Sequence, residues 1–151
     1  MDIQKILSRY EKNQENILAI LHEIQEHDAN QHISREAMNQ VASYLQVPLS
    51  TVYGVLRYYS MYSTTPRGRN LIRVCNSVVC QMLGGEILME KVQQVVADIE
   101  RGQEGSKFFS VETTECLGHC EKAPVMMLND QMESSVDPQS VKNLLVKISK
   151  I

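Results

Sequence analysis

Four cysteines, all in the second half of this 151-residue chain and spaced Cys75-x4-Cys80 and Cys116-x3-Cys120, constrain its folding more than any other feature. Each pair spans so few residues that its two thiols stay close together, and 35 residues separate the two pairs. The opening Met1-Asp2-Ile3-Gln4-Lys5 lacks the basic run and apolar stretch of a secretory signal, and no run of about 18 apolar residues predicts a membrane span. The expected location is cytoplasmic, where stable disulfides are rare, so four close thiols there need another explanation.

The flanking pattern divides the chain. Ile17, Leu18, Ile20, Leu21 and Ile24 recur at helical spacing over residues 14–27. Ser34 is placed to cap a helix carrying Met38, Val41, Ala42 and Leu45; Pro48 interrupts, and Ser50 is expected to cap a third helix with Val52, Val55, Leu56 and Tyr59. Thr64-Thr65-Pro66-Arg67-Gly68 reads as a linker. Beyond it the pattern alternates. A strand Leu71–Val74 runs into Cys75, and a helix spans about Glu86–Glu100 with Ile87, Leu88, Val92, Val95, Val96 and Ile99 on its apolar side, stopped by Gly102 and Gly105. Strands follow at Phe108–Thr113 and Pro124–Leu128, with a hairpin partner near Met132. Asp137-Pro138 then opens a helix with Val141, Leu144, Leu145 and Ile148. Strand, helix, strands, helix predicts a small α/β sandwich.

Each cysteine pair falls where a strand gives way to a loop, with Ser77 and Gly118 as small residues that let the loops turn. Four thiolates from two such loops satisfy the positions of a 2Fe–2S cluster. Structural zinc also takes four cysteines, but its common pairs are separated by two residues. Disulfides or unligated buried thiols are a third reading, and the Cys-x-x-Cys of a thioredoxin-type redox pair is absent. Spacing alone favours the cluster without eliminating its rivals.

Val74-Cys75-Asn76-Ser77-Val78-Val79-Cys80 and Glu115-Cys116-Leu117-Gly118-His119-Cys120-Glu121-Lys122-Ala123-Pro124 resemble the two signatures of the thioredoxin-like 2Fe–2S ferredoxins. The likeness extends upstream through Val47-Pro48-Leu49-Ser50-Thr51-Val52-Tyr53-Gly54-Val55 and Tyr59-Ser60-Met61-Tyr62, nearly the whole chain. Within that group the chain is similar to the small subunit of the NADH-oxidising module of complex I, and to equivalents in soluble NAD(P)-linked hydrogenases and NAD-dependent formate dehydrogenases.

The resemblance implies an α+β fold: a helical docking domain over 1–66 and a thioredoxin-like α/β domain over 67–151 that carries the cluster loops. It also implies that Cys75, Cys80, Cys116 and Cys120 ligate one 2Fe–2S cluster. The expected role is a non-catalytic electron-transfer subunit, with FMN and NAD(P)H on a flavoprotein partner and further iron–sulfur subunits in the complex. A soluble hydrogenase, with or without electron bifurcation, is the preferred setting over complex I or a formate dehydrogenase, because the short chain has no long tail. Departures at Leu56-Arg57-Tyr58 and at Gln81 bear on the branch of the family, not on the ligands.

Glu112, Glu115 and Glu121 surround the second pair; they read as solvated loop charges, or as negative charge that lowers the cluster's reduction potential. His119 lies between two proposed ligands but reads as a polar loop residue, and His22, His27 and His32 have no matching acids or cysteines. Met82, Met89, Met126, Met127 and Met132 are expected in the core.

Gln40–Arg57 imitates a helix-turn-helix, and with a cluster it would describe a redox-sensing regulator. Its second helix offers only Ser50, Thr51 and Arg57 as polar readers, and residues 1–69 balance seven basic against seven acidic side chains, a poor match for phosphates. Residues 70–151 carry the whole net charge of −3, so neither nucleic acid nor direct membrane insertion is expected. Tyr58, Tyr59, Met61 and Tyr62 read equally as internal packing or as an exposed surface that helps docking onto the flavin-bearing subunit. No glycine-rich phosphate loop or acid–base pair marks a substrate site.

Overall fold

A computed structural model describes residues 2–101 and 108–149. The chain forms two compact units, Met1–Arg67 and Gly68–Ile151.

The first unit is helical: α1 (Ile3–Leu7), α2 (Ile17–His27), α3 (Arg35–Leu45) and α4 (Leu49–Tyr58), with a short 3-10 turn at Gln14–Asn16. The apolar spacing of α2 turns Ile17, Ile20, Leu21 and Ile24 inward against Ile6, Leu7, Val41 and Val52. Ser34 caps α3, its Oγ accepting from the Ala37 N–H at 3.1 Å. Gln46, in the left-handed region at φ 55°, ends that helix. The expected cap at Ser50 is displaced: α4 starts at Leu49 behind Pro48, so Ser50 lies within its first turn and caps nothing.

The segment that leads into the Thr64–Gly68 stretch is stitched to the helices. The buried Gln25 side chain donates to the Met61 carbonyl at 2.9 Å and accepts from the Ser63 N–H at 2.7 Å. Arg67 donates through its guanidinium to Met61 O and through its N–H to Asn30 O. Tyr62 takes the internal of its two expected placements: it is buried, and its hydroxyl donates to Leu18 O at 2.8 Å. Burial pushes its pKa up to about 12, so it keeps this proton.

The second unit comprises β1 (Asn70–Cys75), α5 (Val78–Met82), α6 (Gly85–Glu100), β2 (Phe109–Thr114), β3 (Met126–Leu128), β4 (Gln131–Glu133) and α7 (Val141–Ser149). Gly102 and Gly105, expected to stop α6, lie outside the described residues. The sheet order is β2-β1-β3-β4. β1 runs parallel to β2 in a register that ends with Cys75 opposite Thr114, and antiparallel to β3. A tight turn at Asn129, φ 53°, joins β3 to β4.

Ile72 and Val74 alternate onto the face where Leu88, Val92 and Val96 of α6 and Val141 and Leu145 of α7 close a core with Phe109 and Met126. Asp137 organises a turn, accepting from Gln139 N–H at 3.1 Å, and α7 begins later than expected, at Val141. At the start of α6, a Cβ added to Gly85 would stand 2.8 Å from the Cys80 carbonyl oxygen, so this close approach requires glycine.

Two expectations follow. Gln25→Leu strands the buried Ser63 N–H and is expected to destabilise the chain by about 1–3 kcal/mol in urea unfolding followed by circular dichroism; an unchanged midpoint contradicts the stitching. Gly85→Ala must push the Cys80 backbone aside and is expected to cost about 1–3 kcal/mol, whereas Gly54→Ala, with nothing near the added carbon, costs less than its Gly85 counterpart. Equal effects would contradict the steric reading.

Candidate metal centre

The parallel pairing of β1 and β2 brings the two cysteine loops to one edge of the sheet. β1 delivers Cys75, whose N–H bonds to Val125 O at 3.1 Å, and Asn76 continues the ladder with a 2.9 Å bond to Thr114 O. The chain then turns at Ser77 into α5, which carries the buried Cys80. From the end of β2 the second loop carries the exposed Cys116 and the half-buried Cys120, the latter opening a 3-10 turn through Lys122. Gly118 sits between them at φ 79°, the left-handed conformation expected of its type.

The sulfurs meet hydrogen-bond donors from both loops. Cys75 Sγ lies 3.3 Å from Ser77 Oγ, and Gly118 N–H points at Cys116 Sγ at 3.5 Å. Cys116 Sγ and Cys120 Sγ are 3.5 Å apart. Burial opposes ionisation of Cys75, but donation from the Ser77 hydroxyl and N–H and the Leu117 N–H outweighs it and lowers its pKa. Burial, then the neighbouring Cys75, pushes Cys80 up, against donation from the Val125 N–H. Gly118 N–H, then Cys120, draws Cys116 down, and Cys116 in turn holds Cys120 up. Within each pair one thiol therefore ionises more readily than the other, and a metal-bearing group would take up both as thiolates.

Across the loops, Cys120 feels both Cys75 and Cys80, and Cys116 feels Cys75 and Ser77. Among the described residues no three His, Cys, Asp or Glu side chains converge as the ligands of a single ion do. Four thiols from two neighbouring loops would hold a two-iron group, and the N–H donors would suit the negative charge of its thiolates.

The other residues sort differently. Glu115 and Glu121 are exposed, and Glu112 is half-buried. His119 Nδ1 lies 3.6 Å from Glu121 and has no hydrogen-bond partner among the described residues. The histidines of the helical unit do have acid or backbone partners within their own segments: His22 pairs with Glu26, His32 with Asp28, and His27 with the Glu23 carbonyl. Met126 is buried as expected, but Met82 is 80% exposed. With Val78, Leu83 and Ile87 it forms an exposed apolar strip beside Cys80, which hydrophobicity alone does not distinguish from core. The N–H groups of Leu117 and Val125 also escape sequence reasoning, since backbone donors leave no trace in residue type.

The thioredoxin-like 2Fe-2S ferredoxin family matches residues 3–149 of this chain. An NADH-quinone oxidoreductase subunit of Aquifex aeolicus (strain VF5) is 33% identical over 131 residues, covering 85% of this chain and 79% of the relative. NADP-reducing hydrogenase subunit HndA of Solidesulfovibrio fructosivorans is 26% identical over 147 residues, 97% of this chain and 84% of the relative. Among solved structures, NAD+-reducing NiFe-hydrogenase in the air-oxidized state superposes with a TM-score of 0.68 at 19% identity, over 93% of this chain. This chain spans about a quarter (24%) of that hydrogenase chain, and the likeness is one of fold. The chain belongs to the thioredoxin-like 2Fe-2S ferredoxin family, whose cofactor is a 2Fe–2S cluster.

Proposed function

We propose that this chain is the 2Fe–2S electron-transfer subunit of a multi-subunit NAD(P)H:acceptor oxidoreductase, with Cys75, Cys80, Cys116 and Cys120 as the cluster ligands. The observation that carries this reading is the parallel pairing of β1 and β2, which brings the two thiol pairs to one end of the sheet, with Ser77 Oγ 3.3 Å from Cys75 Sγ and Gly118 N–H 3.5 Å from Cys116 Sγ. When bound, the cluster supplies one-electron transfer. The chain's own part is to hold the four sulfurs as thiolates and to bury one side of the site while leaving the Cys116 side open for electron exchange.

A soluble hydrogenase is the setting we favour, supported by the alignment with the NADP-reducing hydrogenase subunit HndA over 97% of this chain. The equivalent subunit of complex I is the second reading, supported by the 33% identity to the Aquifex aeolicus NADH-quinone oxidoreductase subunit. In either, FMN and NAD(P)H belong to a partner flavoprotein. Residues 1–66 serve as a docking domain in this proposal, with Tyr58, Tyr59 and Met61 exposed for contact. The strip at Val78, Met82, Leu83 and Ile87 supplies a second contact beside the cluster. A regulator fits less well, since the exposed side of α4 offers Tyr53 and Tyr58 and a single basic residue, Arg57.

The purified chain is expected to hold about two iron and two sulfide and to give an EPR signal on reduction. Cys75→Ser and Cys120→Ser each lose or alter that signal; zinc without sulfide, or unaltered spectra in both variants, overturns the reading. Glu115→Gln removes an exposed negative charge near the site and is expected to raise the midpoint potential, more so at low than at high salt. A midpoint unmoved at low salt shows that this charge is only a solvated one.

A further inference from the structure

The two cysteine pairs differ in access. Cys75 and Cys80 are 1% and 0% exposed, whereas Cys116 is open to solvent and Cys120 partly so. The buried pair is also fixed by its backbone, Cys75 closing β1 and Cys80 lying inside α5. The segment from Glu115 to His119 belongs to no helix or strand, and Gly118 turns it back on itself. Cys116 Sγ and Cys120 Sγ already approach to 3.5 Å, and side-chain rotation with a small loop shift closes the remainder to a disulfide length of about 2.05 Å.

We propose that, in the chain without its cluster, Cys116 and Cys120 form a reversible disulfide at the expense of oxidised low-molecular-weight thiols such as glutathione disulfide, and that this bond and the cluster exclude one another. The exclusion rests on the ligand assignment above; bond formation does not. Cys116, as thiolate, attacks one sulfur of the small disulfide, giving a mixed disulfide and releasing one thiol. Cys120 then attacks the Cys116 sulfur, forming the Cys116–Cys120 bond and releasing the second thiol. Two electrons and two protons pass from the pair to the small disulfide, and two reduced thiols reverse the exchange. Cys75 and Cys80 stay reduced because no small disulfide reaches them.

Trypsin separates the pairs cleanly, Cys75 and Cys80 falling in Val74–Lys91 and Cys116 and Cys120 in Phe108–Lys122. The full chain, cluster-loaded and cluster-free, is incubated with oxidised glutathione, alkylated, digested and weighed. In the cluster-free chain, Phe108–Lys122 is expected two hydrogens lighter and without alkyl groups, while Val74–Lys91 carries both. The loaded chain is expected to show no disulfide. Cys120→Ser is expected to retain glutathione on Cys116. Equal oxidation of both peptides, a bond between the pairs, glutathione persisting on wild-type Cys116, or an unmodified Cys120→Ser variant overturns the proposal. A loaded chain that forms the disulfide while keeping its iron overturns the exclusion and counts against Cys116 and Cys120 as ligands. Absence of the disulfide in a chain whose Cys→Ser variants lose iron overturns this proposal alone.

Discussion

The site depends first on the parallel pairing of β1 with β2. A parallel pair needs a long crossover, here α5 and α6, and both strands end at the same edge of the sheet. Cys75 and Thr114 close the register, so the loops that leave them start as neighbours although 35 residues separate Cys80 from Cys116. Beyond that edge the backbone N–H groups have no further strand to bond, and Leu117, Gly118 and Val125 turn theirs toward sulfur. Pairing therefore supplies both the convergence of the thiols and the donors that favour their ionised form, consistent with the general tendency of ligands to bind outside the carboxyl ends of parallel strands.

The packing behind the loops fixes this edge. Ile72 and Val74 are gripped by α6 and α7 on one face, so β1 cannot slip register without exposing them. Gly85 lets α6 start directly against the Cys80 carbonyl, which sets the height of α5 over the strand end. The helical unit is built separately around Ile20, Leu21 and Ile24, with Gln25 and Arg67 holding its last segment. Arg67 bonds within that unit, and the Gly68 N–H donates to Ser110 Oγ within the next, so each side of the junction is anchored to its own core.

Much of this is legible in the residues. The Ile17–Ile24 stripe, the Ser34 cap and the hairpin near Met132 are local signals, and local signals survive folding. The clustering of thiols at strand–loop junctions likewise announces a shared site from spacing alone. What the residues conceal depends on tertiary partners. Ser50 resembles a cap because the helix start at Pro48 is not visible in composition. Tyr62 reads equally as exposed or packed because nothing local reveals that Leu18 O accepts its hydroxyl. Met82 and Ile87 read as core by hydrophobicity, yet both are exposed, Met82 because α5 is one short turn with its outer side uncovered.

The central claim is that both thiol pairs hold one two-iron group through sulfur alone. X-ray absorption at the iron edge of the loaded chain tests it most directly. The account predicts a first shell made only of sulfur together with iron–iron scattering. A nitrogen or oxygen ligand in that shell, such as His119 would give, or iron without a second iron nearby, would contradict it.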